Sequence, residues 1–254
     1  MPKIYLVNVG ANRSHENKAR SPIFSDGTWI YVPFPHKSTH HSHPFPEATL
    51  PYIRVANGVG CHADPDWDGL TYVDSCSEPR AKSLSKVHGG DILLFWSLLW
   101  KTDRSRSVFD SHERGWYIIG VLRVESVLKQ GDRVSTLLPD IQRRAIRNPH
   151  VIEGKIKDKD GERVFIGSSD LRHSRRFANA VDWQVYIDGG LMHRVVRAAD
   201  GSQIRWHESP QWNSVTRSCR AILDLANQRD HELATFLAER IEQSNSGFDL
   251  IGKG

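Results

Sequence analysis

Two apolar segments constrain this chain more than anything else in it. Ile92–Trp96 and Trp116–Val124 are strand-length runs of large, β-branched and aromatic side chains, separated by the charged, irregular stretch Lys101–Gly115. Such runs read as strands, and two strands joined by a polar excursion are expected to lie side by side and antiparallel. Gly120, inside the second run, marks a bulge or a place where another chain segment comes close to the backbone.

Around this pair the rest of the fold can be sketched. Ile4–Val9 reads as a buried opening strand, and Ser21–Phe34 as a hairpin turning at Asp26-Gly27 and ended by Pro33 and Pro35. His36–Pro51 is rich in His and Pro and reads as a long loop. Further on, Leu137–Ile146 suits a short helix, and Val151–Ile156 with Arg163–Ile166 suits a hairpin about Asp158–Gly161. The basic stretch after Gly167 looks helical as far as Ala180, and Val185–Ile187 is a short strand candidate. Ser218–Gln243 has the clearest helical period, with Ile222, Leu225, Leu233, Phe236, Leu237 and Ile241 at three- and four-residue steps and Asp230 as a possible break. The expected class is α+β in one domain over 1–254, with a mostly antiparallel sheet or barrel in 1–190 and helices from 210–246 packed outside.

Composition excludes several alternatives. With 254 residues, 39% hydrophobic and 25% charged, the chain is neither disordered nor fibrous. No window approaches the ~20 apolar residues of a membrane-spanning helix, and the N-terminus does not resemble a secretory signal, so the cytoplasm is the expected location. The three cysteines, Cys61, Cys76 and Cys219, form no Cys-x-x-Cys pair and support neither a disulfide framework nor a zinc ribbon. Charge is uneven: residues 100–176 hold 17 Lys and Arg against 11 Asp and Glu, while the rest of the chain holds 17 against 19. A basic middle favours phosphates, and Arg143, Arg144, Arg172, Arg175 and Arg176 are its candidate contacts, joined by Arg13 and Arg20 near the first strand; a solvated face that binds nothing is the competing account.

The most unusual stretch runs from His62 to Asp68, His-Ala-Asp-Pro-Asp-Trp-Asp. His62, Asp64 and Asp66 suit a general base, a cation ligand or an acceptor for a base edge, with Trp67 as a stacking surface; Asp64 and Asp66 equally suit a turn in which they cap backbone amides. Trp96 and Trp116 are core residues or walls of a slot for a planar base. His36, His40, His41 and His43 lack the helical spacing of a metal motif, and no metal ligand set is assigned. Cys61 beside His62 invites a nucleophile reading, against the commoner role of a buried thiol.

An ordered string carries a family resemblance: Lys3-Ile4, Arg20-Ser21-Pro22-Ile23-Phe24, Asp26-Gly27, Pro33-Phe34-Pro35, His62-Ala63-Asp64-Pro65-Asp66, Gly90-Asp91-Ile92-Leu93-Leu94-Phe95 and Gly120. It resembles the third type of nucleotide-modification-associated domain, found beside bacterial and phage DNA-modification genes, with the recognisable motifs lying between residue 3 and about 124. The resemblance implies Ser21, Asp26, His62, Asp64 and Asp66 as site residues and leaves reaction and cofactor unnamed. Gly90–Phe95 followed by Trp116–Val124 is also similar to the strand pair of PUA, EVE and YTH barrels, which hold nucleobases in an aromatic slot.

These readings converge on a DNA-modification-associated protein that binds or acts on a nucleobase, its partner being nucleic acid, DNA ahead of RNA, or a nucleotide. A non-enzymatic PUA-like reader and a metal-dependent hydrolase using the histidine loop and Asp64 are the alternatives. A reader has no use for several carboxylates beside an anionic backbone, whereas an enzyme can use them for proton transfer.

Overall fold

The structure is a computed structural model that describes residues 1–11, 15–36, 43–62, 64–79, 81–152, 154–156, 161–182 and 219–251. Its strands are β1 (Lys3–Asn8), β2 (Ser21–Ile23), β3 (Phe34–His36), β4 (Gly60–His62), β5 (Thr71–Ser75), β6 (Ile92–Lys101), β7 (Arg114–Lys129), β8 (Val151–Ile152), β9 (Lys155–Ile156), β10 (Glu162–Gly167), β11 (Ser174–Asp182) and β12 (Cys219–Asp224). Among the described residues two α-helices accompany them, α1 (Pro139–Ala145) and α2 (Gln228–Ser244).

Eight strands form one sheet in the order β12-β1-β6-β7-β10-β5, with β2 added to β6 and β11 to β7. The expected neighbours β1, β6 and β7 are adjacent; β6 and β7 pair antiparallel, and β1 runs parallel to β6. Most pairings are antiparallel, and among the described residues the sheet is open, ending at β12 and β5, rather than closed into a barrel. Among the described residues no helix is long and apolar enough to cross a membrane.

Period-two alternation sorts the central strands between two cores. Ile4 and Leu6 of β1, with Ile92, Leu94 and Trp96 of β6, face α2 and its Leu233, Leu237 and Ile241. Tyr5 and Val7, with Leu93, Phe95 and Leu99, face the opposite layer of Trp29, Tyr31, Leu70, Tyr72 and Leu84. Strand β7 changes parity partway. Phe95 pairs with Gly120 but Trp96 pairs with Ile118, so Ile119 is an extra residue. Before this bulge Ile118 faces α2; beyond it Val121 does, a step of three rather than two. Gly120 is also a close approach, since a Cβ there would lie 2.3 Å from Trp67 Cη2 and 2.8 Å from the Arg175 carbonyl. A third core forms where α1 and the β8–β9 hairpin cover the far end of the sheet, joining Val73, Leu128, Ile141, Ala145, Val164 and Ile166.

Three expectations need correction. Cys219–Asp224 is not the start of a helix but an edge strand antiparallel to β1; its short apolar run fits either period, and the open edge of β1 decides it. The chain then turns, and Asn227 caps α2 by accepting hydrogen bonds from the backbone N–H groups of Arg229 and Asp230. Ser174–Asp182 is a strand beside β7 rather than a basic helix, because Phe177 and Val181 enter the α2 core while the arginines reach backbone carbonyls. Val151–Ile156 closes on itself as β8–β9, while β10 pairs with β5 and β7. Val185–Ile187 lies outside the described residues.

Replacing Gly120 with Ala is expected to cost about 1–3 kcal/mol of stability, since Trp67 and the Arg175 backbone both have to move. Thermal unfolding followed by tryptophan fluorescence measures this, and an unchanged midpoint would contradict the close packing described.

Candidate functional site

The site is built from the end of β4 onward. After His62 the chain turns back on itself between Asp66 and Thr71, whose backbones exchange both hydrogen bonds, and Asp66 Oδ1 accepts from the N–H groups of Asp68 and Gly69, each at 3.1 Å. Trp67 lies across Gly120, edge-on to Phe95 and Tyr31. The turn delivers the chain into β5, where Val73 N–H donates to Asp64 Oδ1 at 3.3 Å. The Tyr31 hydroxyl donates to the Asp64 carbonyl, so both ends of Asp64 are held.

A second segment meets this one from beyond α1. Asn148 accepts from the His150 N–H at 3.0 Å and donates through Nδ2 to Thr71 Oγ1 at 2.8 Å, clamping the Asn-Pro-His turn onto β5. His150 Nε2 then lies 2.6 Å from His62 Nε2. His62 Nδ1 is 3.1 Å from Asp64 Oδ2, and His150 Nδ1 is 3.6 Å from Glu162 Oε2. Glu162 opens β10 on the face it shares with Val164 and Ile166, pointing at the third core. The result is a continuous series, Asp64, His62, His150, Glu162, with side chains only 6–12% exposed. The rings of Phe34 and His36 pack against His62 at 5.1 and 5.4 Å.

Burial dominates the electrostatics here. It pushes the Asp64 carboxyl well above its ordinary range, and the negative charges of Asp74, Asp66 and Glu162 push it further, against the Val73 N–H bond. An ionised carboxylate without compensation costs several kcal/mol in such a place, so Asp64 is poised to hold a proton or to face a positive charge. Behind it Tyr72 donates to Asp74 Oδ2 at 2.7 Å, and burial followed by Asp74 drives the Tyr72 hydroxyl well up. Two imidazoles between two carboxylates can relay a proton. One ligand atom each from His62, Asp64 and His150 also falls within 4.8 Å of the others, near enough for the three to converge on one metal ion.

The structure brings His62 and Asp64 together but gives Asp66 to the turn. Other site residues expected from the sequence have structural work. Ser21 is fully buried, with Oγ accepting from Val32 N–H at 3.0 Å, and Asp26 accepts from Thr28 and Arg104 in its own turn. Trp96 is fully buried edge-on to Trp116, 4.7 Å between centroids, which makes it core rather than wall. Arg20 donates to the carbonyls of Glu16, Val108, Phe109 and Ser111. Arg144 binds Glu125, Asp140 and the Gly167 carbonyl; Arg143 pairs with Asp140, and Arg172 with Asp170. Arg175 donates to the carbonyls of Asn245 and Ser246, and Arg176 to that of Trp29, over whose ring it lies. Arg13, His40 and His41 lie outside the described residues. Burial pushes the Cys61 thiol up to about 11, which leaves almost no thiolate at neutral pH. His150, Glu162 and Asn148 are site residues that sequence reasoning missed. Their local signals are faint: an Asn-Pro turn ahead of a His, and a Glu at an inward position of an alternating strand.

A mixed sheet with a buried histidine and carboxylate cluster at one end defines an α+β protein with a candidate reactive centre. The chain matches the family described as nucleotide modification associated domain 3 over residues 3–216, and it belongs to that family. The match extends well past residue 124, where the recognisable motifs end, and takes in all four residues of the cluster. No match to the chain is found among curated proteins or among solved structures.

Two substitutions separate structural from functional roles. Arg20→Ala is expected to lower stability by about 2–4 kcal/mol through its lost hydrogen bonds to carbonyls, a fall in unfolding midpoint that an exposed phosphate contact would not produce. Asp66→Asn is expected to leave the midpoint nearly unchanged, because an amide oxygen accepts the same two turn bonds; a large fall would give the Asp66 charge a role beyond the turn.

Proposed function

We propose that this protein acts on a nucleobase or nucleotide, DNA ahead of RNA, using the Asp64–His62–His150–Glu162 cluster for proton transfer. The observation that carries the reading is the burial of four titratable side chains within one contact series, inside the stretch that matches a nucleotide-modification family. A structural role alone is an expensive use of buried carboxylates, which are seldom kept out of water unless paired or employed. His62 and His150 are placed to pass a proton between their ring nitrogens, and Asp64 and Glu162 set which ring nitrogen carries it. The PUA-like reader is the weaker account, because Trp96 belongs to the core and Trp67 is occupied in packing on Gly120.

The test is mass spectrometry of nucleosides from host DNA in cells expressing the wild-type chain, Asp64→Asn or His150→Ala. Asparagine keeps the acceptor for Val73 N–H and removes a buried charge, so Asp64→Asn is expected to unfold at or above the wild-type midpoint while losing any altered nucleoside. A wild-type nucleoside profile from a folded Asp64→Asn protein would remove the catalytic reading.

A further inference from the structure

The pair of histidines raises a question that proton transfer does not answer. Two Nε2 atoms 2.6 Å apart need something between them, because two lone pairs facing each other at that distance repel. A ring proton satisfies the pair; so does a cation. The carboxylates around the pair favour the cation. Asp64 Oδ2 and Glu162 Oε2 are both buried, and among the described residues neither receives an aligned hydrogen bond. Asp64 and Glu162 are 94–95% buried. Oxygens in that position are expensive unless a donor or a positive ion meets them.

We propose that His62, Asp64 and His150 bind one divalent transition-metal cation, with Glu162 as the carboxylate that positions His150. The three residues each offer one ligand atom, all within 4.8 Å of one another. Two imidazole nitrogens and one carboxylate oxygen form a donor set suited to zinc, iron(II), cobalt or nickel rather than to magnesium or calcium, which take oxygen ligands. At about 2.0–2.1 Å from each nitrogen, a tetrahedral ion places the two Nε2 atoms roughly 3.3 Å apart. The rings then separate by well under 1 Å, a side-chain adjustment within the clamp that Asn148 provides. Glu162, 3.6 Å from His150 Nδ1, is placed as the outer carboxylate that commonly orients a metal-bound imidazole. Three protein ligands leave a coordination position open, as catalytic sites do. An ion on both Nε2 atoms takes up the lone pairs that a proton relay would use, so the metal-bound form is an alternative state of the cluster and does not depend on the nucleotide reading.

The experiment uses the full chain, stripped with a chelator and titrated with ZnCl2 by calorimetry and with CoCl2 by visible absorption, in the absence of any nucleotide. One equivalent per chain is expected, together with a cobalt spectrum of nitrogen and oxygen ligation and a raised unfolding midpoint on adding zinc. His150→Ala is expected to abolish stoichiometric binding, and Glu162→Gln to weaken it by roughly 10- to 100-fold. A His40→Ala, His41→Ala double variant is expected to bind as wild type, which separates this site from the histidine loop. Absence of tight stoichiometric binding to the wild-type chain overturns the proposal without reference to any variant that fails to fold. So does binding that survives in folded His150→Ala, is lost in the loop variant, or shows sulfur ligation. Because no nucleotide is present, failure here leaves the proton-transfer reading standing, and an unchanged nucleoside profile leaves the metal site standing.

Discussion

The extra residue Ile119 in β7 is the constraint on which the arrangement depends. A regular strand of sixteen residues presents the same alternation from end to end, and this one has to serve different neighbours along its length: β6 on one edge, and first β11, then β10 on the other. The bulge at Ile119 resets the alternation within the stretch paired with β11, before β10 takes over at Val124, so large side chains still point into both cores beyond it. Gly120 beside it leaves room for Trp67, and Trp67 fastens the turn that carries Asp64 to the sheet. A defect in regular pairing is thus what lets the sheet support the site.

What the sequence made legible follows from locality. Strands β1, β6 and β7 were readable because each is a strand-length apolar run, and Gly120 because a glycine among large residues signals a bulge or a close approach. Strand β12 was not, since Cys-Arg-Ala-Ile-Leu-Asp continues into a helix with compatible spacing and only the edge of β1 makes it a strand. Strand β11 was obscured by Arg175 and Arg176, whose charges suggest solvent although their guanidinium groups end on backbone carbonyls.

The same reasoning explains the half-legible site. His62 and Asp64 stand two residues apart in an odd composition and were visible on that ground. Their partner His150 is 88 residues further along, and Glu162 further still. No spacing rule spans such an interval; only the closing of the third core, with α1 laid over β10 and β5, brings them together. The arginines failed in the opposite direction. Clustering in sequence suggested a phosphate surface, whereas Arg20, Arg144, Arg175 and Arg176 donate to backbone carbonyls, and Arg143 and Arg172 pair with acidic neighbours at the surface.

The length of β7 has a consequence for how this protein can change. Its Arg114 end meets the irregular Lys101–Gly115 excursion, and its Lys129 end pairs with β10, which carries Glu162. At about 3.3 Å per residue, the strand between those ends spans about 50 Å. Insertions and rearrangements in the excursion therefore act on the molecule at arm's length from the buried cluster. The Arg114 end is tied down by Arg20, whose guanidinium holds the carbonyls of Val108, Phe109 and Ser111, and the Lys129 end by its pairing with the strand that carries Glu162.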